Sequence, residues 1–407
     1  RYTLANGLRI VHNEDDSTQM VALNLLYDVG ARDEDPSHTG FAHLFEHLMF
    51  GGSVHVADFD AELQQAGGEN NAWTSSDITN YYTIVPRQNV ETAFWLESDR
   101  MLGLEFSQRS LDVQKSVVIE EFKQRNLNQP YGDTSALIRE MAYTRHPYRW
   151  PVIGRDIRHI EQATLEEVKQ FFYSHYAPNN AILAVTGNIS FEETLSDKWF
   201  SPIEKRDIAP RHIPAEPEQT APRYKEVERN VPLDAIVKAW HMGGRCDDNY
   251  QTCDLLSDIL SNGRSSRLFR RLVMEKQLFT AIDASITGDI DAGLFLINGR
   301  LNKGVSMQQA EEAIDEVLEQ VCRESVPEEE IRKMVHKFET SYLFSNLSYV
   351  DKAANLAYFE HIDRAESIDS EVEKYYRITP ESLQTTAQAI FRANNMSTLY
   401  YRAQDSC

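Results

Sequence analysis

The second half of this chain repeats the first half. Residues 165–180 match residues 380–395 without a gap, and the apolar segment 20–27 matches residues 235–240. Each copy mixes segments typical of strands with helices of ordinary length. The repeat therefore predicts two similar α+β domains, because elements of this kind bury their apolar faces by packing on one another.

The length of the chain also favours two domains. A chain of 407 residues is too long for one typical domain. A polar stretch with five prolines, from Pro202 to Pro222, separates the two copies and is typical of an extended linker. We therefore expect one domain over residues 1–205, a linker over 206–230 and a related domain over 231–407.

The first copy carries two histidines and a glutamate in the order H-x-x-E-H, namely His43, Glu46 and His47. Two histidines four apart on a helix lie on one face, where both can reach one metal ion. This order is the inverse of the H-E-x-x-H motif and is a metallopeptidase signature. The three could be ordinary helix residues, but polar groups in so apolar a helix are costly unless they are satisfied. The pattern favours a metal site.

The second copy provides an internal control. Its helix places Leu255, Asp258 and Ile259 opposite the three residues of the H-x-x-E-H motif. This copy has the core role of the helix and no histidines. The fold therefore does not require histidines at these positions, which strengthens the functional interpretation of the first copy.

A catalytic zinc site uses three protein ligands and keeps one position for water. The best candidates for a third ligand are Glu120 and Glu121, which follow an apolar run in a predicted helix. Adjacent residues point about 100° apart on a helix, so only one of the two can face the site. The residues alone leave both open.

Several further segments form a recognisable set with this motif. They are Val117–Glu121, Asn71–Ser75 and Tyr176–Asn180, the last of which precedes the apolar segment Ala181–Gly187. With these segments the chain resembles the pitrilysin and mitochondrial processing peptidase family of zinc peptidases, the inverzincins, over nearly its whole length. The resemblance implies two related domains, each a mostly antiparallel sheet with helices packed on it.

The resemblance also implies an activity and the residues that carry it. It implies a zinc metalloendopeptidase in which His43, His47 and Glu121 hold Zn²⁺. It implies that Glu46 acts as the general base in the hydrolysis of peptides or unfolded segments inside a chamber.

Substrate binding and one departure from the family pattern concern three other residues. The resemblance implies that the backbone of Asn71 and Ala72 binds an extended peptide by strand addition. Without the resemblance, a turn into a strand would explain Asn71 equally well. Gln114 stands where many family members have a glutamate, so a charge near the metal ligands is absent.

A second departure suggests a partner. In the family, an arginine and a tyrosine from the other half of the molecule often complete the site, and the matching positions here are Val273 and Thr280. Neither side chain can donate to a carbonyl oxygen as arginine or tyrosine can. We predict a heterodimer in which a related subunit supplies both groups. A homodimer is less favoured, because it would hold two metals and no arginine–tyrosine pair.

Two other functions remain open. The family includes core proteins of the respiratory chain that do not cleave peptides, so the chain could be a non-catalytic structural or assembly subunit. It could also be a metal-dependent hydrolase with a non-peptide substrate. The complete set of four site residues argues against the structural alternative.

Composition limits the partners and suggests the compartment. Lys and Arg number 41 and Asp and Glu number 63, which gives a net charge of −22 and argues against nucleic acid or an anionic membrane as a partner. No apolar run reaches the length of about 20 residues that spans a bilayer. The four cysteines, Cys407 among them, have no metal-ligand spacing and are expected to be free thiols in a reducing compartment. We expect a cytoplasmic location, or a periplasmic one if a leader has been removed.

Overall fold

The computed structural model describes residues 1–194 and 197–404, which contain eleven strands and fifteen α-helices. The strands in chain order are β1 (Tyr2–Thr3), β2 (Arg9–Glu14), β3 (Met20–Tyr27), β4 (Glu69–Thr74), β5 (Thr79–Pro86), β6 (Ala181–Gly187), β7 (Arg223–Arg229), β8 (Ala235–His241), β9 (Phe279–Ile286), β10 (Leu294–Leu301) and β11 (Met396–Ala403).

The helices of the described residues are α1 (Phe41–Leu48), α2 (Phe59–Gln65), α3 (Val90–Leu102), α4 (Gln108–Phe122), α5 (Thr134–Ala142), α6 (Ile157–Glu161), α7 (Leu165–His175), α8 (Phe191–Thr194), α9 (Asp197–Phe200), α10 (Tyr250–Ser261), α11 (Met307–Arg323), α12 (Glu328–Ser345), α13 (Tyr349–Ile362), α14 (Glu371–Tyr376) and α15 (Pro380–Ile390). A π-helical segment, Lys123–Leu127, follows α4, and a second one, Phe269–Glu275, precedes β9.

The chain forms two compact units, each built from three segments. The first unit contains residues 1–124, 150–213 and 343–369. The second unit contains residues 125–149 and 214–342 and the described chain from residue 370 onward.

The boundaries of these two units differ from the predicted domain boundaries at residues 205 and 231. Two segments, 125–149 and 343–369, each belong to the unit built mainly from the other copy. The predicted linker 206–230 also contains an element, because Arg223–Arg229 form strand β7 of the second sheet. The last part of the predicted linker is therefore an edge strand.

The first unit contains a six-stranded sheet in the order β1-β2-β6-β3-β5-β4. Only the β2–β6 pair is parallel, and the other neighbours are antiparallel. The central strands β3 and β6 are buried almost throughout, as expected for apolar strands covered on both faces. The only side-chain amides buried in the β3–β5 pair, Asn24 and Asn80, satisfy each other with two reciprocal hydrogen bonds of 2.8 Å, so the pair favours this register.

The second unit contains a five-stranded sheet in the order β7-β11-β8-β10-β9. Its order matches β2-β6-β3-β5-β4 of the first sheet, and its only parallel pair, β7–β11, corresponds to β2–β6. The repeated segments occupy equivalent places, since α7 leads into β6 and α15 leads into β11. The predicted α+β fold with an internal duplication is confirmed.

One helix from each copy lies on the sheet of the other copy. Helix α13, from the second copy, packs on β3 and β6, and the Thr186 hydroxyl on β6 donates to the carbonyl of Tyr349 at the start of α13. Helix α5, from the first copy, packs on β8 and β11. Each sheet therefore has one face completed by a helix that is distant in sequence.

A buried ion pair lies in the core of the first unit. The Arg100 guanidinium, of which 1% is exposed, donates to the Glu97 carboxylate through Nε at 2.8 Å and Nη2 at 2.7 Å. It also lies over the rings of Phe59 and Tyr81, at 4.5 Å and 4.6 Å from their centroids. Thr83 donates a further bond of 2.6 Å to Glu97. The charges are thus paired and hydrogen-bonded, as burial requires.

Two further features of the described chain concern its longest helices and its cysteines. No helix among residues 1–194 and 197–404 is both long enough and apolar enough to cross a bilayer. Cys253 and Cys322 are free thiols, Cys246 is exposed, and Cys407 lies outside the described residues.

Candidate metal centre

Helix α1 carries the H-x-x-E-H motif, and Glu34 caps its first turn. Gly40, just before the helix, has a φ of 91°, a left-handed conformation that glycine adopts at little cost. A glycine has no side chain with which to cap the helix. Instead, the two carboxylate oxygens of Glu34 accept bonds from the backbone N–H groups of Gly40 at 2.9 Å and Ala42 at 2.8 Å. These bonds satisfy donors that the first turn leaves unpaired.

The charge state of Glu34 is unusual. Its side chain is buried, and burial raises the pKa of the Glu34 carboxyl from an ordinary 4.5 to about 8. The two backbone donors and the positive end of the helix dipole act in the opposite direction, but they do not offset the loss of water. The carboxyl therefore holds its proton at pH values where most carboxyls have released it.

Two imidazoles and one carboxylate converge at the centre of the site. The Nε2 atoms of His43 and His47 lie 3.6 Å and 3.3 Å from Glu121 Oε2. The nearest ligand atoms of all three residues lie within 4.8 Å of one another. Two nitrogens and one oxygen at these separations match the donor set of a catalytic zinc site. This trio is the one group of potential metal ligands of this kind among the described residues.

Helix α4 brings Glu121 to this centre and directs Glu120 elsewhere. The helix packs against α1 and begins after Ser107, whose side chain accepts the N–H of Ser110 at 3.1 Å. The Glu120 side chain is 72% exposed and bonds Lys123, whereas that of Glu121 is 18% exposed. The sequence alone did not distinguish these two glutamates, and in the structure Glu121 is the one near the two histidines. Gln114 lies two turns before Glu121 on α4 and is half-buried.

Glu46 is held by a residue of strand β4. The Thr74 hydroxyl donates to Glu46 Oε2 at 2.6 Å, and Thr74 is the last residue of β4. Thr74 does not stand out in the sequence, where it is only one member of the segment Asn71–Ser75. A β-branched residue is ordinary in a strand, so its contact with a carboxylate 28 residues away gives no local signal.

Strand β4 forms one edge of the first sheet, with β5 as its only neighbour in the described chain. Asn71 is exposed, Ala72 is half-buried, and exposed and half-buried residues alternate along the strand. The Ala72 N–H donates to the side-chain oxygen of Asn71 at 2.9 Å. Asn71 and Ala72 therefore lie on an edge that can accept another strand, two to three residues from the contact with Glu46.

The corresponding helix of the second unit has no such centre. Leu255 and Ile259 on α10 are fully buried. Asp258 accepts a hydrogen bond of 2.7 Å from Asn262, and burial raises the pKa of its carboxyl. Helix α10 therefore contributes to the hydrophobic core of the second unit.

The two positions that match the family's arginine and tyrosine, Val273 and Thr280, both lie in the second unit. Val273 lies in the π-helical segment before β9 and packs partly buried against the core of the second unit. Thr280 lies on β9, where it is exposed and donates to the carbonyl of Arg300 at 3.2 Å. Both side chains have structural roles in this unit.

Comparison with known proteins bears on the family. The profile described as "Insulinase (Peptidase family M16)" matches residues 9–154, and the profile described as "Peptidase M16 inactive domain" matches residues 162–338. The zinc protease PqqE of Helicobacter pylori is 29% identical over 362 residues, which cover 87% of this chain and 81% of that protein. The uncharacterized zinc protease YmxG of Bacillus subtilis is 26% identical over 350 residues, which cover 85% of this chain and 84% of that protein.

A solved structure agrees with these matches. The crystal structure of a protease from Helicobacter pylori has a TM-score of 0.92 to this chain at 26% identity, and the match covers 98% of each chain. The fold and site define a duplicated α+β protein whose described residues contain one group of potential zinc ligands, in the first copy. The chain belongs to peptidase family M16.

Proposed function

We propose that this chain is a zinc metalloendopeptidase that hydrolyses peptides or unfolded protein segments inside a chamber. The convergence of the His43 and His47 Nε2 atoms on Glu121 Oε2, at 3.6 Å and 3.3 Å, is the observation that carries the proposal. The names of two relatives, both zinc proteases, support it.

In the proposed reaction, His43, His47 and Glu121 hold Zn²⁺. The bound ion would supply Lewis acidity, which makes water a stronger nucleophile near neutral pH and polarises a carbonyl. Glu46 accepts the proton of the attacking water and passes it to the leaving amine. Its position one residue before His47 suits this task, because the carboxylate shares the side of the helix that carries the ligands without being needed as a ligand itself.

Strand β4 is the proposed substrate-binding element. An extended peptide that pairs with its open edge would form main-chain hydrogen bonds near Asn71 and Ala72. The Ala72 N–H already has an acceptor in the Asn71 side chain, so a peptide would replace this bond rather than meet a bare donor. Because main-chain groups make these bonds, binding would require an extended peptide backbone and would depend little on the side chains of the peptide.

The partner in this proposal is a related subunit that supplies an arginine and a tyrosine. Val273 and Thr280 cannot stabilise a developing oxyanion as those residues would, and both already have roles within their own unit. The heterodimer would place zinc on one chain and the two donors on the other.

The alternative function is that of a structural or assembly subunit without catalysis. The match of residues 162–338 to a profile described as an inactive domain is the observation in its favour. Purified chain that binds no zinc near one equivalent would support this alternative and exclude the peptidase.

The decisive experiment measures peptidase activity with a quenched peptide library. The chain is assayed alone and together with the product of any adjacent related gene. We expect little activity from the chain alone and clear activity from the pair. Glu46→Gln should abolish the activity while zinc content stays near one equivalent, because Glu46 is not a ligand. Strong activity of the isolated chain would contradict the split site, and activity only on small esters would indicate a non-peptide substrate.

We also propose that the protein works in the cytoplasm, a reducing compartment, with the oxidising periplasm as the alternative if a leader has been removed. The free thiols of Cys253 and Cys322 support the cytoplasm, because thiols stay reduced there. Fractionation of the native cells with an antibody against the chain would test it.

A further inference from the structure

We propose that Thr74 is a positioning residue that holds the general base Glu46 and ties it to the substrate-binding strand. The inference rests on the proposed function and deepens it. Its basis is one hydrogen bond, in which the Thr74 hydroxyl donates to Glu46 Oε2 at 2.6 Å. An O–H group that donates to a carboxylate makes a short and strong bond.

The location of Thr74 gives this bond its significance. Thr74 ends β4, the strand that carries Asn71 and Ala72, and it shares with Ala72 the half-buried face of that strand. Helix α1, which carries Glu46, packs against β4. A single hydroxyl thus joins the strand proposed to hold the peptide to the group proposed to move the proton.

The bond has a clear consequence for the geometry of Glu46. A glutamate side chain has several rotatable bonds and loses substantial rotamer freedom when it is fixed. The Thr74 hydroxyl engages one carboxylate oxygen and thereby restricts the rotation of the group. A general base must lie within hydrogen-bond reach of the proton it takes, so a carboxylate that turns freely would be in the productive position less often.

A purely structural role for Thr74 would depend only on the shape and strand preference of its side chain. A strand residue on a half-buried face needs a β-branched side chain, and valine would meet that need equally well. Strand packing gives no reason for a hydroxyl that reaches a carboxylate on another element. Replacing threonine by valine therefore removes the hydroxyl and keeps the shape and the strand preference.

The test compares three variants of the full chain, assayed with its partner. Thr74→Val should lower kcat about 10- to 100-fold, the range seen when groups that orient site residues are removed. KM should stay within about twofold and zinc near one equivalent, because neither the strand edge nor the ligands change. Thr74→Ser, which keeps the hydroxyl, should restore kcat to within about threefold of the original chain. Thr3→Val, on the opposite edge of the same sheet, is the matched control and should have no effect.

A second measurement does not depend on activity. In crystal structures of the zinc-free and zinc-loaded Thr74→Val chain, we expect the Glu46 carboxylate to leave its position or to occupy several rotamers, with β4 and the three ligands unmoved. An unchanged Glu46 in these crystals, or an unchanged kcat, would overturn the inference. If the pair proves to have no peptidase activity, the proposed function fails, and the position of Glu46 in these crystals still decides the role of Thr74.

Discussion

Replacing Glu34 by glutamine should change how the stability of the chain depends on pH. The carboxylate oxygens of Glu34 accept the N–H groups of Gly40 and Ala42 at the start of α1. Glutamine has nearly the same shape and keeps one oxygen acceptor, but it turns an amide donor toward the other N–H. We expect this mismatch to cost about 1–3 kcal/mol at every pH, since it leaves a buried donor unsatisfied.

The magnitude of the pH effect follows from the pKa of the buried carboxyl. Burial raises the pKa of Glu34 from 4.5 to about 8, which corresponds to at most about 5 kcal/mol. Below pH 4.5 both the folded and the unfolded chain hold the proton. Between pH 4.5 and about 8 only the folded chain holds the proton, so the contribution of Glu34 to stability falls as the pH rises and is fully lost above about 8.

The assay is urea unfolding of the original chain and of Glu34→Gln at pH 5, 6.5 and 8.5, with EDTA present to keep both metal-free. Other titrating groups cancel in the difference between the two chains. The original chain should be the more stable one at pH 5, and its advantage should shrink or reverse by pH 8.5. Glu120→Gln, which removes an exposed carboxylate, should show a constant difference. A constant difference for Glu34→Gln as well would refute the reasoning.

Three further predictions concern the metal ligands and the buried ion pair. Glu121→Gln should weaken zinc binding more than about 100-fold, whereas Glu120→Gln next to it should bind zinc normally; equal affinities in a competition assay with a zinc-binding dye would contradict the assignment. Zinc at about 1,000 times its Kd should add about 4 kcal/mol to the free energy of unfolding, a gain that calorimetry should find in the original chain and miss in Glu121→Gln. Glu97→Gln should lower the free energy of unfolding by about 3–5 kcal/mol, because the Arg100 guanidinium stays buried without its charged partner; a loss below about 1 kcal/mol in urea unfolding would count against this.

The repeat and the histidine motif were enough to predict the fold class and the location of the candidate site. Segments that match in sequence must bury the same faces, so residues 165–180 and 380–395 lead into equivalent strands, β6 and β11. Helical spacing likewise places His43 and His47 on one face. The first prediction depends on comparing two segments of the sequence and the second on the helical period, and neither needs a tertiary contact.

Features that depend on distant contacts could not be predicted in this way. The choice between Glu120 and Glu121 depends on which side of α4 faces α1. The sequence around two adjacent helix residues does not show which of them faces a distant helix. The bonds from Glu34 to α1 and from Thr74 to Glu46 join elements through the tertiary fold. The membership of segments 125–149 and 343–369 in their units has the same origin, because it is set by which sheet each segment meets.

The helix that each copy places on the other sheet has a consequence for synthesis on the ribosome. The strands of the first sheet and the three proposed ligands have all been synthesised once residue 187 is made. The face of β3 and β6 that α13 covers must wait until residues 349–362 follow. During that interval an apolar sheet surface is open to chaperones or to another nascent copy of the chain. The unit with the candidate metal centre therefore stays an incomplete domain until α13 has been synthesised.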